Sequence, residues 1–228
     1  MMHEYCFSQD LGKIGDPSAY VLTETRTRVR SRTEEIRSFG DEPESDVIYP
    51  EIIVRWLERK FVPYDVVIDD ARTRLSDLRL IDNCSHLIDI TGVGQPVWDM
   101  MVRQGMSPIG ISITSGLKAN TADYGYTVPK LELISSLQLA LRNRHLKFAE
   151  GLDQALVDQI RHEFATFVPK PKTGGGTSYE AWREKDHDDI ILALAMNVWW
   201  VYRSHGIQVV RKRILRTEND YDPLRFGL

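Results

Sequence analysis

The chain has 228 residues, 42% apolar and 27% charged, a composition that suits a soluble globular protein with a sizeable core. Its 29 Lys and Arg against 33 Asp and Glu give a net charge of -4, which excludes a general polycation that adheres to any nucleic acid. No apolar run approaches the roughly 18–20 residues of a membrane span, and the N-terminus MMHEYCFSQD lacks a basic region followed by an apolar stretch; two cysteines outside any CxxC pair, Cys6 and Cys84, point to a reducing compartment.

From the N-terminus, Tyr5 to Asp10 alternates like a strand, LGKIGDPS reads as a turn, and a second extended run follows from Ala19 to about Arg30, predicting a β-hairpin. Arg26, Arg28, Arg30 and Arg32 fall at alternate positions of that run and share one face. Such a stripe can track a phosphate backbone, or equally serve as a charged edge that discourages strand aggregation. SFGDEPESD has loop composition, and Pro50 then stands where a helix would begin, with Ile52, Ile53, Trp56 and Leu57 at helical spacing. The apolar run at 65–69 reads as a strand, Leu75 to Leu80 as a short helix, and HLIDI as a strand ending at Thr91-Gly92.

Val97, Met100 and Met101 predict a helix to about Gln104, and Ile109, Ile111 and Ile113 alternate as a buried strand. Leu133, Ile134, Leu137, Ala140 and Leu141 mark an amphipathic helix, and Leu152, Leu156, Ile160 and Phe164 mark another. VPKPKTGGGTS predicts a hairpin with a mobile glycine tip, flanked by Lys170 and Lys172. The run from Ile190 to Trp200 is apolar on every side and predicts a helix inside the core. Arg211-Lys212-Arg213 forms a second basic cluster. Together the elements read as one mixed α/β domain over 1–228, with 204–228 as a C-terminal extension.

Three acidic positions stand apart from ordinary surface carboxylates. Asp10 ends the first strand, Asp89 ends a later one before Thr91-Gly92-Val93-Gly94, and Asp188-Asp189 opens the buried helix. Strand ends and helix starts are exposed yet rigidly held, and carboxylates gathered there repel one another unless a cation sits between them; oxygen donors suit Mg²⁺ or Mn²⁺. Structural roles compete with this: Asp10 can open a turn, and Asp188 or Asp189 can cap the helix that follows. Asp89 within LIDI has no comparable structural task. TGVG is a weak phosphate-loop signal, and with no GxxxxGK[ST] anywhere the chain is not a P-loop ATPase or kinase.

The segments QDLGKIGDPSA, LIDITGVGQPVWDMM, VPKLELISSLQLALRNRHLKFA and HDDIILALAMNVW resemble, in that order, the C-terminal nuclease domain of phage large terminase subunits. The resemblance covers most of the chain. It implies an RNase H-like mixed central sheet flanked by helices, and a metal-dependent endonuclease that cuts concatemeric viral DNA during genome packaging. By the same resemblance Asp10, Asp89 and Asp189 are the catalytic acids and metal ligands, with Asp188 a rival ligand and His187 an auxiliary residue. The cofactor implied is Mg²⁺ or Mn²⁺, as two ions about 4 Å apart, one activating water and the other stabilising the leaving 3′ oxygen.

Double-stranded DNA, a terminase ATPase domain or subunit, the small terminase subunit and the portal are the partners implied, in the cytoplasm of a bacterial host and without a membrane. Arg26, Arg28, Arg30, Lys170 and Lys172 are the candidates to hold DNA by its phosphates. Full large terminases carry an ATPase motor ahead of the nuclease, and this chain begins at the nuclease strand, so no ATPase domain and no translocation are expected of it. The Asp69-Asp70 pair lacks the glycine turn that follows Asp89. Two other classes stay open: another RNase H-like nuclease such as a Holliday-junction resolvase, and a non-catalytic docking module of a packaging motor.

Overall fold

The computed structural model describes residues 4–12, 16–31, 45–166, 170–172, 176–178, 189–206 and 208–211. The fold is mixed α/β. Its order is β1 (Tyr5–Asp10), β2 (Ser18–Ser31), β3 (Ser45–Lys60), α1 (Tyr64–Leu75), β4 (Cys84–Asp89), α2 (Gly94–Arg103), β5 (Ile109–Thr114), β6 (Asn120–Ala122), β7 (Gly125–Pro129), α3 (Lys130–Arg142), β8 (Leu146–Phe148), α4 (Gln154–Thr166), β9 (Lys170–Lys172), β10 (Gly176–Ser178), α5 (Asp189–His205) and β11 (Gln208–Arg211). Eight strands run β11-β3-β2-β1-β4-β5-β7-β6 in one sheet, with β8 adding to β3 as a ninth, while β9 and β10 pair separately. Among the described residues no helix is long and apolar enough to cross a membrane.

The expected hairpin is present: β1 and β2 pair antiparallel, from Tyr5 opposite Glu24 to Asp10 opposite Ala19. β4 then lies parallel to β1, and β5 parallel to β4. Because side chains alternate across a strand, the sheet divides the core in two. Cys6, Val21, Ile52, Val54, Leu87 and Ile111 pack with α3, α4 and α5 on one face. Phe7, Tyr20, Ile88 and Ile90 pack with Val67, Ile68 and Ala71 of α1 and Val97 and Met101 of α2 on the other. Helix α5 is buried from Ile190 through Trp199, which is why its sequence is apolar all round.

Residues 45–60 correct the sequence reading: they form a strand, not a helix. The β2–β3 register slips between Leu22, opposite Trp56, and Thr23, opposite Val54, so Arg55 is an extra residue in β3. Ile52 and Val54 face α5 before the bulge and Leu57 after it, and this change of phase imitates helical spacing. Pro50 is tolerated because it falls between the stretch of β3 paired with β11, Ser45 to Ile48, and the stretch paired with β8, Ile52 to Val54.

Residues 65–69 are also corrected, from strand to the interior of α1. Val67, Ile68 and Ala71 are its buried stripe at i, i+1 and i+4, so packing against the sheet overrides the β-branched character of the run. The short helix expected over 75–80 is absent: Leu75 ends α1, and turns follow. Gln208–Arg211, within the stretch read as an extension, joins the edge of the main sheet.

One buried titratable group makes the fold acid-sensitive. His86 is 5% exposed, stacks on Phe7 at 5.4 Å, and donates from Nε2 to Gln9 Oε1 at 2.7 Å. Burial pushes its imidazole down from 6.5 to about 3. Between those values the unfolded chain binds the proton and the fold does not, so stability is intact above about pH 6.5 and falls as the pH drops toward 3. At pH 4.5 the loss from this group is about 2–3 kcal/mol. Urea melts at pH 7 and 4.5 check it: His86→Gln should lose less stability between the two than wild type, and equal losses would remove His86 as the source.

Candidate functional site

The site is built where β1 and β4 end and α5 begins. Ser8 Oγ donates to the Ala193 carbonyl at 2.8 Å, and Cys6 Sγ donates to Asn197 Oδ1 at 2.9 Å. Asn197, fully buried, returns two bonds from Nδ2, to the carbonyls of Cys6 at 3.3 Å and Val21 at 3.2 Å. Two strand residues advance about 6.6 Å and four helix residues about 6 Å, so the ladder that matches Cys6 with Asn197 and Ser8 with Ala193 runs toward the end of the sheet where Asp10 closes β1 and Asp189 opens α5. Across the sheet, Gln9 stands opposite Ile88, and one further step sets Asp10 beside Asp89. Asp10 and Asp89 share the α5 face with Ser8 and Leu87 by strand alternation, and they are 8% and 9% exposed.

The turn after β4 fixes Asp89. Gly92 adopts φ +67°, and a Cβ on Gly94 would stand 2.0 Å from the Asp89 carbonyl oxygen, so TGVG here is demanded by a tight strand-to-helix reversal. The Thr91 N–H donates to Asp89 Oδ1 at 2.8 Å, and the Ile113 N–H donates to Thr91 Oγ1 at 2.8 Å, tying the turn to β5. Asp89 therefore has a structural task after all, as acceptor in its own turn.

Asp189 is held by a residue that the sequence reading did not single out. Arg59 of β3 donates from Nη2 to Asp189 Oδ2 at 2.9 Å, with side-chain exposures of 16% and 18%. Arg59 lies opposite Ala19, which lies opposite Asp10, so Asp89, Asp10, Ala19 and Arg59 form one line across four strands. The signal for Arg59 was its phase: read as a strand, RWLERK puts a cation two residues from Leu57 on the core face. Taken as a helix, the same stretch hid it.

The expected DNA-binding residues whose side chains are described, Arg26 and Arg28, are not brought to this point. Arg26 and Arg28 lie on β2 beyond its pairing with β1, and both are engaged, Arg26 with Glu24 and Arg28 with Glu51 at 2.8 Å. The carboxylate of Glu24 is raised by burial, but hydrogen bonds and charge from Arg55 and Arg26 outweigh that and hold it below its ordinary value. The stripe is thus interleaved with acids. Arg30 lies on the same strand, and Lys170 and Lys172 lie on β9, which pairs with β10 as the expected hairpin, but the side chains of all three fall outside the described residues, as do Asp188 and His187 altogether. Asp69 and Asp70 are on α1, on the opposite side of the sheet, where Asp70 bonds Lys60 at 2.9 Å.

Among the described residues no group of three or more His, Cys, Asp and Glu is placed to hold a metal ion. The donor type alone suits one: Asp10, Asp89 and Asp189 offer carboxylate oxygen, as Mg²⁺ and Mn²⁺ prefer, but they are not gathered round one point. For Asp189 to serve, its carboxylate must exchange Arg59 for the ion. No protein-family model matches the chain, and no curated protein matches it.

Proposed function

We propose that this chain is a metal-dependent DNA endonuclease of the phage terminase type, with an RNase H-like fold. The observation that supports it most is that Asp10 and Asp89 end the adjacent parallel strands β1 and β4 while Asp189 opens α5, which packs on β1, so the three acids lie toward one end of the sheet without forming a ready metal-holding group. Such a set of acids raises repulsion in the fold and has a chemical use when it holds a cation. Asp10, Asp89 and Asp189, with Asp188, would hold Mg²⁺ or Mn²⁺, as two ions by the terminase resemblance. When bound, the metal supplies activation of water and stabilisation of the leaving 3′ oxygen in phosphodiester hydrolysis.

The chain's own residues do the rest. β1 and β4 fix two carboxylates on adjacent parallel strands, α5 delivers the third, and the Thr91 turn orients Asp89. Duplex DNA is the proposed substrate, held through phosphates by Lys170, Lys172 and the β2 arginines, with a terminase ATPase, small subunit and portal as partners in the cytoplasm of a bacterial host. A second reading, a non-catalytic docking module, draws on two bonds: Arg59 occupies Asp189, and Thr91 occupies one oxygen of Asp89.

Metal binding separates the readings. The folded nuclease binds the ion and the unfolded chain does not, so stability should rise by about 2.7 kcal/mol when free Mn²⁺ is a hundred times its dissociation constant. Melting curves in EDTA and in Mn²⁺ should show that rise for wild type and lose most of it in Asp89→Asn. Identical curves for wild type with and without Mn²⁺ would favour the docking module.

A further inference from the structure

We infer that His86 is a proton-operated latch for the layer formed by α1 and α2: when the ring takes up a proton, these two helices come away from the sheet while α5 stays packed on the other face. The two faces are fastened differently. On the α5 side, Cys6, Ser8 and Asn197 lace β1 and β2 to the helix through buried thiol, hydroxyl and amide bonds, and none of these three groups changes charge between pH 7 and 5. On the α1 side, the buried side-chain hydrogen bonds among the described residues form one chain, from His86 of β4 to Gln9 of β1 and from Gln9 to α1.

Gln9 fixes the protonation of the ring. Its Nε2 donates to the Val67 carbonyl at 3.4 Å, so its Oε1 is turned to His86 Nε2, 2.7 Å away, and that ring nitrogen carries the hydrogen. The other ring nitrogen, Nδ1, is buried and has no hydrogen-bond partner among the described residues. A second proton must go to Nδ1, where it sets a charge and an unmatched donor inside an apolar layer. No counter-charge is packed there: α1 and α2 present Val67, Ile68, Ala71, Val97 and Met101. The ionisable groups of the layer, Tyr5, Tyr20, Tyr64, Tyr124 and Cys84, are all neutral in acid. At its rim Asp70 is engaged by Lys60 at 2.9 Å, and Arg74 lies on the Trp56 ring.

The ring therefore charges in a state where water reaches it, and two openings provide one: unfolding of the whole chain, or lifting of α1 and α2 alone. Lifting breaks the Gln9–Val67 bond, the Lys60–Asp70 pair, the bond from Tyr64 to the Gly12 carbonyl and the apolar contacts of one face. It leaves the Asn197 ladder and the α5 core intact, so it is the smaller opening. An exposed ring that titrates near its ordinary value of about 6.5 favours the open state roughly 25-fold more at pH 5 than at pH 7.

Amide hydrogen exchange of the full chain at pH 7 and pH 5, corrected for intrinsic exchange rates, tests it. Amides of α1 and α2 should open more readily than those of α5 at both values, and their open population should rise roughly 25-fold at pH 5. His86→Gln, which keeps an amide beside Gln9 and removes the titrating ring, should hold that rise below about threefold. A measurement on unaltered protein stands beside it: in NMR spectra of the folded chain at pH 5, the His86 ring should remain neutral with its hydrogen on Nε2. Amides of α1, α2 and α5 that open together overturn the inference, as does the full rise at pH 5 in folded His86→Gln. If that variant does not fold, a His86 ring protonated at pH 5 in the folded wild type overturns it equally.

Discussion

Asp89→Asn should cut duplex DNA at least roughly a thousandfold more slowly than wild type while keeping its fold, and Asp89→Ala should lose both cleavage and stability. The two substitutions differ because Asp89 has two tasks. Its Oδ1 accepts from the Thr91 N–H at 2.8 Å, a bond that an asparagine carbonyl can also accept. Its negative charge beside Asp10 is what the amide cannot supply. Asn removes the charge and keeps the turn, so in EDTA this variant should melt no lower than wild type, with the relief of repulsion acting in its favour. Alanine leaves the Thr91 N–H without its acceptor, at a cost of about 1–3 kcal/mol. Melting in EDTA and cleavage in Mn²⁺, measured on all three proteins, check this. A large stability loss in Asp89→Asn would mean that the charge itself is structural, and Asp89 would leave the proposed site.

Asn197→Ala should be the most destabilising single change around α5. Asn197 is 0% exposed, accepts from Cys6 Sγ and donates to the Cys6 and Val21 carbonyls. The alanine leaves these groups unpaired and opens a cavity between β1, β2 and α5, costing about 3 kcal/mol. For a chain of this size that lowers Tm by roughly 6–12 °C. Because the same ladder holds α5, and with it Asp189, against β1, the variant should also bind Mn²⁺ more weakly if the acids hold the ion as proposed. Ser204→Ala, on the same helix but bonded only locally, to the Trp200 and Val201 carbonyls and to His205 Nδ1, should stay within about 0.5 kcal/mol of wild type. If Asn197→Ala melts like Ser204→Ala, the buried ladder does not hold α5 in register.

Much of the framework was legible because its signals are local. The β1–β2 hairpin, the strand before TGVG, α3 and the core helix α5 each follow from spacing over fewer than about 20 residues. The failures come from effects that act across the fold. A single extra residue, Arg55, changed the phase of β3 and made a strand look helical, and Pro50 was permitted by a gap between two partner strands that lie far along the chain. α1 carries a β-branched run that packing against the sheet turns into a helix.

The same division holds at the site. Asp10, Asp89 and Asp189 were visible as acids at strand ends and a helix start, which is a local property. Arg59 was not, because its meaning depends on a partner 130 residues away. The Thr91 bond was equally hidden, since LIDI shows an acid in an apolar frame but not the backbone N–H that returns to it.

The most direct measurement is the fate of linear duplex DNA incubated with the chain and Mn²⁺, without ATP. Cleavage in Mn²⁺, none in EDTA and none by folded Asp89→Asn is the predicted result. Intact DNA with folded wild-type protein, across a titration of both Mn²⁺ and Mg²⁺, would contradict the nuclease assignment and leave the acid row as part of a docking module.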